Sequence, residues 1–161
     1  MKLKHTATIL VAVYIFYKMT KHKIHFAWPT TNKLVRNCDP YGCGNFGAGR
    51  GSRDHLGEDF VVVENQPIYS PISGKVIRES IPYANDPTYR GILIQNERYE
   101  VKMFYLKPNL SLIGKSINAG DVVGYAQNIS KKYGASMIPH VHVQIKDLAS
   151  NRFLPISTLL T

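Results

Sequence analysis

A chain of 161 residues with 44% hydrophobic and 19% charged residues has room for one domain with an adequate core, and its composition is that of a soluble globular protein. A formal net charge of +9 predicts attraction to acidic surfaces such as sulfated glycans. No recognition-helix pattern or RNP-like aromatic motif accompanies that charge, which excludes nucleic acid as an expected partner.

The first element is a targeting-like segment. Lys2 and Lys4 form a basic start, and Thr6 to Tyr17 form an apolar stretch of twelve residues. A membrane span needs about 20 residues, so this length favours a secretory signal over a transmembrane helix. Ala27 before Trp28 offers a small residue at one cleavage position, but His25 stands at the other, and an uncleaved membrane tether stays open as an alternative. The expected organisation is therefore a signal-like segment over 1–27 and a folded domain over 28–161. Much of the basic excess, including Lys2, Lys4, Lys18, Lys21 and Lys23, lies before the first cysteine.

Cys38 and Cys43 are the two cysteines, in Asn37-Cys-Asp-Pro-Tyr-Gly-Cys-Gly44. Four intervening residues with Pro40 and Gly42 suit a tight turn, and a secretory start favours a disulfide over a zinc site that lacks its second cysteine pair. So small a loop contributes about 2 kcal/mol on the loop-entropy model, a local clip and not the source of the fold. The following stretch, Gly42 to Gly51, is rich in glycine. It lacks the Gly-Lys-Ser/Thr ending of a phosphate-binding loop and no clear strand flanks it.

His55-Leu-Gly-Glu-Asp59 comes next, with an imidazole and a carboxylate four residues apart, a spacing that one turn brings to one side. From Asp59 onward short β-like runs alternate with Gly and Pro. They are Phe60–Val63, two strands around Ser73-Gly74 within Ile68–Ile77, Gly91–Gln95, Tyr99–Leu106, and a strand after the Ala119-Gly120 turn within Ile117–Ala126. The last run, His140–Ile145, alternates so that His140 and His142 share one face while Val141, Val143 and Ile145 share the other. That split predicts a sheet with one face on a core and the other lining a site. The expected fold is all-β, with at most a short helical turn. A lone His-x-His is more often structural than metal-binding. Together with His55 and Asp59, however, two imidazoles and a carboxylate make a divalent-metal site with a fourth position open for water.

In this order the segments resemble peptidase family M23, the lysostaphin-like zinc endopeptidases. That family has His-x3-Asp, Gly-Lys-Val-type and Ala-Gly-Asp-Val-type hairpins, and then His-x-His. The segments Arg36–Gly44, His55–Asp59, Tyr69-Ser-Pro71, Val101–Pro108 and His140–His142 further resemble a secreted animal branch of the family. The match runs from about Cys38 to Gln144, and the further disulfides of that branch are absent here. The resemblance implies an M23-like antiparallel β-sheet domain with long loops, in which His55, Asp59 and His142 hold Zn2+. It also implies that His140 flanks the metal, and that Tyr105 stands where the active peptidases carry a second flanking His.

A phenol has an unperturbed pKa near 10, so Tyr105 is a plausible oxyanion donor and a poor base at neutral pH. Loss of one such group typically costs about 10²–10³ in rate. Glu58 is a weak substitute base, because its neighbour Asp59 must face the metal. Equally, Tyr105 reads as a packed core aromatic. The expectation is a secreted, extracellular zinc-binding signalling or chemotactic protein, catalytically silent, that binds a cell-surface receptor or an anionic glycan. The alternative is an active zinc endopeptidase cleaving peptidoglycan cross-bridges or glycine-rich peptides, with His140 and Tyr105 as its candidate catalytic residues.

Overall fold

The structure, a computed structural model, describes residues 24–160, so all but the last four residues of the signal-like segment lie outside it. Twelve short strands make up most of the secondary structure. They are β1 (Gly49–Arg50), β2 (Arg53–Asp54), β3 (Glu58–Val61), β4 (Pro67–Tyr69), β5 (Gly74–Ser80) and β6 (Gly91–Gln95), followed by β7 (Tyr99–Phe104), β8 (Leu106–Pro108), β9 (Ser116–Ile117), β10 (Val122–Ala126), β11 (His140–Asp147) and β12 (Arg152–Leu154). Among the described residues, one helical turn, α1 (Ser130–Tyr133), and two 3₁₀ turns complete the set. The all-β expectation is met, and no described helix is long and apolar enough to cross a membrane.

Seven strands form one antiparallel sheet in the order β12-β11-β7-β6-β5-β9, with β3 pairing the same edge of β11 that β12 uses further along. A second sheet has the order β4-β10-β8. The alternation read in β11 is realised. Val141, Val143 and Ile145 are fully buried and join Val76, Ile92, Ile94, Val101 and Met103 on the core face of the large sheet. Ile68, Leu106, Val123 and Ala126 from the small sheet complete the same cluster. The opposite face of β11 carries His140, His142 and Gln144, and these three line a cavity.

Three local expectations are corrected. The two strands around Ser73-Gly74 do not form a hairpin, because β4 pairs with β10 whereas β5 pairs with β6 and β9. Glycine-rich residues 42–51, read as unflanked loop, end in a small hairpin of β1 and β2. The run Tyr99–Leu106 is broken at Tyr105, where the chain passes from the large sheet to the small one.

That break positions a site residue. Tyr105 has φ 67°, the left-handed region that a bulky residue seldom adopts. The backbone N–H groups of Tyr105 and Leu106 both donate to Arg90 O, at 2.8 and 3.1 Å. In an unbroken strand Phe104 and Tyr105 would point to opposite faces. The left-handed step turns Tyr105 so that both rings line the cavity.

Candidate metal centre

β3 and β11 bring the ligand candidates together through their register, which pairs His142 with Asp59 and Val143 with Glu58. His55 approaches from the segment just before β3. His142 Nδ1 lies 3.0 Å from Asp59 Oδ1 and 3.0 Å from His55 Nε2, and His55 Nε2 lies 3.2 Å from Asp59 Oδ1. Three atoms bound at about 2.0–2.1 Å to one tetrahedral zinc ion stand about 3.3 Å apart, so this triangle fits such an ion closely.

Proton accounting leads to the same conclusion. His55 Nδ1 donates to Asn45 O at 2.9 Å, which leaves Nε2 as a lone pair aimed at the triangle. Asp59 Oδ1 contributes another acceptor. His142 Nδ1 can bring at most one proton to satisfy both. A shared cation removes the repulsion, and the second nitrogen of His55 is already oriented by a backbone carbonyl, as metal-bound imidazoles usually are. Of the described residues, His55, Asp59 and His142 are the set that could hold a metal ion.

Around the triangle the other groups divide the work. Asp59 keeps Oδ1 for the site and commits Oδ2 to two guanidinium groups. Arg36 Nη2 and Arg50 Nη2 donate to Oδ2 at 2.9 and 3.1 Å. Burial pushes the Asp59 carboxyl up, but its contacts with His142 and His55 more than reverse that, and it is held well below the usual carboxylate range. The two guanidinium contacts act in the same direction.

Sequence reasoning missed Arg36 as a partner of Asp59. It is 1% exposed, and only its place in the Arg-Asn-Cys run pointed to it. Gly57 was also missed. Its backbone passes so close to His142 that a Cβ would lie 2.6 Å from Cε1 of the ring.

His140 stands outside the triangle. Its Nδ1 donates to Ile138 O at 2.7 Å, so its Nε2 lone pair faces inward, 3.7 Å from Asp59 Oδ2. Burial lowers its pKa, so the neutral form is favoured. Tyr105 packs edge-on against His140, with ring centroids 5.3 Å apart. Its hydroxyl bonds to Tyr83 Oη at 3.0 Å, and Tyr83 Oη bonds to Tyr133 Oη at 3.0 Å. Burial raises the Tyr105 phenol further from the neutral range. Tyr105 is thus a wall residue with a satisfied hydroxyl. Glu58, as expected, points away, with its carboxylate accepting from Ser157 N and Ser157 Oγ, each at 2.7 Å. The Cys38–Cys43 disulfide is formed. His55, Asp59, Tyr105, His140 and His142 line an open cavity of about 570 Å³, within the usual size range of ligand sites.

Known proteins similar in sequence and fold place the chain. Residues 53–153 match peptidase family M23. Leukocyte cell-derived chemotaxin-2 of Mus musculus is 35% identical over 111 residues, 68% of this chain and 72% of the relative. The Bos taurus protein of the same name is 29% identical over 145 residues, 89% of this chain and 94% of the relative. Among solved structures, the antimicrobial peptidase lysostaphin from Staphylococcus simulans aligns with a TM-score of 0.57 at 21% identity, over 84% of this chain. This chain spans about half of lysostaphin's length, 54% of that structure. A zinc-containing peptidase from Vibrio cholerae aligns with a TM-score of 0.56 at 24% identity, over 81% of this chain and 38% of that structure. With the fold and the sequence match in agreement, this chain belongs to peptidase family M23 and is similar within it to the chemotaxins of mouse and cattle.

Proposed function

We propose that this chain is a secreted, extracellular signalling protein on an M23 scaffold, that it binds zinc through His55, Asp59 and His142, and that it acts by binding a receptor and not by hydrolysis. The observation that carries this reading is Tyr105. Hydrolysis at a zinc centre uses a metal-bound water made acidic enough to attack, and it needs groups beside the metal to take the proton and hold the oxyanion. At the position where the family resemblance calls for an imidazole, this chain has a phenol. Burial raises that phenol's pKa, and its oxygen is tied to Tyr83. It takes up no proton near neutral pH, and its hydroxyl is already partnered. The similarity to two chemotaxins supports the same reading.

The first experiment loads the purified protein with zinc and offers it peptidoglycan and glycine-rich peptides, with His142→Ala as the blank. Zinc bound without turnover is the expected result. Turnover that the blank abolishes overturns it.

One observation favours the second reading, an active endopeptidase. His140 keeps a neutral imidazole whose free Nε2 faces the site, the state a general base requires. Under that reading His140→Ala abolishes turnover in the same assay.

The partner is also narrowed by where the charge lies. Five of the twenty Lys and Arg residues fall within residues 1–23, and residues 24–160 carry fifteen against eleven Asp and Glu. The described domain is therefore far less basic than the whole chain, which supports a receptor ahead of an anionic glycan. Binding to immobilised heparin that falls steeply with added salt would reverse that preference.

A further inference from the structure

We infer that the Cys38–Cys43 loop is a positioning element for the metal centre, acting on Asp59 from one side and on His140 from the other. The inference rests on the zinc reading above.

The loop's two ends close around Asp59. Arg36 N donates to Asp59 O at 2.7 Å, Asp59 N donates to Gly44 O at 2.9 Å, and Gly44 N donates to Arg36 O at 3.2 Å. The three backbones thus form a closed ring of bonds, one residue beyond each end of the Asn37–Cys43 segment. A Cβ on Gly44 would lie 2.6 Å from Arg36 O, so the approach tolerates no side chain there.

The loop's carbonyls then orient the guanidinium groups. Arg36 Nη1 donates to Gly42 O at 2.9 Å while its Nη2 donates to Asp59 Oδ2. Arg50 Nη1 donates to Tyr41 O at 2.6 Å and its Nη2 to Cys43 O at 2.8 Å, the same Nη2 that reaches Asp59 Oδ2. Three consecutive carbonyls, 41 to 43, therefore aim two cations at one oxygen of the carboxylate. The other oxygen is left facing the two imidazoles.

On the far side, Asp39 within the loop accepts from Ile138 N at 3.0 Å and pairs with Arg36. Ile138 is the residue whose carbonyl fixes the donating nitrogen of His140. Tyr41 Oη bonds to Tyr133 O, which ties the loop to the same connection between β10 and β11. One small loop thus touches the supports of both strands that build the centre. The disulfide holds that loop in the conformation in which its carbonyls converge. Its Cys38 end is exposed, so the bond contributes little to the core and its structural reach is directed at the site.

The test measures zinc affinity of the full chain by competition with a chromogenic chelator. Cys38→Ser together with Cys43→Ser opens the loop without creating thiols that bind zinc themselves. Arg50→Gln removes one of the two guanidinium supports with the disulfide intact, and Arg50→Lys restores the charge without the fork. Changes to groups that orient ligands typically lower metal affinity by about 10–100-fold, and that loss is expected for the double serine variant and for Arg50→Gln, with partial recovery in Arg50→Lys. The parent and variants are compared by circular dichroism, and if the serine variant does not fold, the Arg50 pair decides alone. Affinity within about twofold of the parent in every folded variant would overturn the inference while leaving the zinc reading intact. A parent chain that binds no zinc would overturn both.

Discussion

Gly57→Ala is a one-methyl change that separates the metal centre from the rest of the fold. The added Cβ would lie 2.6 Å from Val143 O, 2.6 Å from His142 Cε1 and 2.7 Å from His142 Nε2. Carbon atoms pack at about 3.5–4.0 Å, so the ring contact is short by roughly 1 Å. Two responses relieve it. β3 and β11 can part at the Val143–Glu58 pair, a form of overpacking that costs about 1–3 kcal/mol. Alternatively the imidazole rotates and takes Nδ1 out of the triangle with His55 and Asp59, where the atoms now stand 3.0 Å apart. Either response lowers zinc affinity, by about the 10–100-fold typical of a mispositioned ligand. Chelator competition reads that loss, and melting in excess EDTA reads the backbone strain. Gly49→Ala is the matched control, since a Cβ there meets nothing within 4 Å. If Gly57→Ala binds zinc within about twofold of the parent, His142 does not hold the metal in the geometry described.

Zinc removal offers a second check, because zinc present at about 1,000 times its dissociation constant stabilises the folded state by about 4 kcal/mol. EDTA should therefore lower the melting temperature of the parent and leave that of His142→Ala unchanged, and equal melting with and without chelator would mean that zinc is not structural. In the chelated protein, pH probes His140. Its folded pKa lies below the ordinary value near 6.5, so the unfolded chain binds the proton first and stability falls as pH drops through about 6.5. Asp59, also depressed, contributes stability that is present above the ordinary carboxylate pKa near 4 and is lost as pH falls below it. Urea titrations at pH 7.5 and 5.5 should differ in the parent and differ less in His140→Gln; equal slopes in the two proteins would contradict the burial argument. Ser157→Ala removes one of two donors to the buried Glu58 carboxylate and should cost about 1.5–3 kcal/mol in urea unfolding without changing zinc affinity. No loss would mean that the Ser157 hydroxyl does not help hold the buried Glu58 carboxylate.

What was legible in the sequence follows from the range of each interaction. β11 could be read directly, because a period of two sorts His140 and His142 from Val141, Val143 and Ile145 within a single strand. The His55–Asp59 pair was legible for a similar local reason. Pairing between strands was not. Pro67–Tyr69 and Gly74–Ser80 look like a hairpin because a Ser-Gly turn lies between them. Instead β4 joins the small sheet beside β10, while β5 joins the large sheet between β6 and β9. The supports of Asp59 were hidden for the same reason. Arg36 has local partners in Asp39 and the carbonyl of Gly42, but what buries it at the site is a carboxylate 23 residues on, which no local pattern marks.

Tyr105 lies between these cases. Its residue type could be set against the family pattern and gave the doubt about hydrolysis. Its left-handed backbone could not be read, because tyrosine rarely adopts it and no glycine marks the position. Such a conformation costs about 1–3 kcal/mol and persists only where its surroundings fix it. Here the fixing groups are Arg90 O, which takes two N–H donors, and Tyr83, which takes the hydroxyl. The strained step is what brings an aromatic wall against His140, at the position to which the family resemblance assigns an imidazole. By the family resemblance, a scaffold held for hydrolysis carries an imidazole at that position. A scaffold held for binding needs only a fixed, amphipathic wall beside the metal, and a tyrosine whose ring and hydroxyl are both committed supplies one.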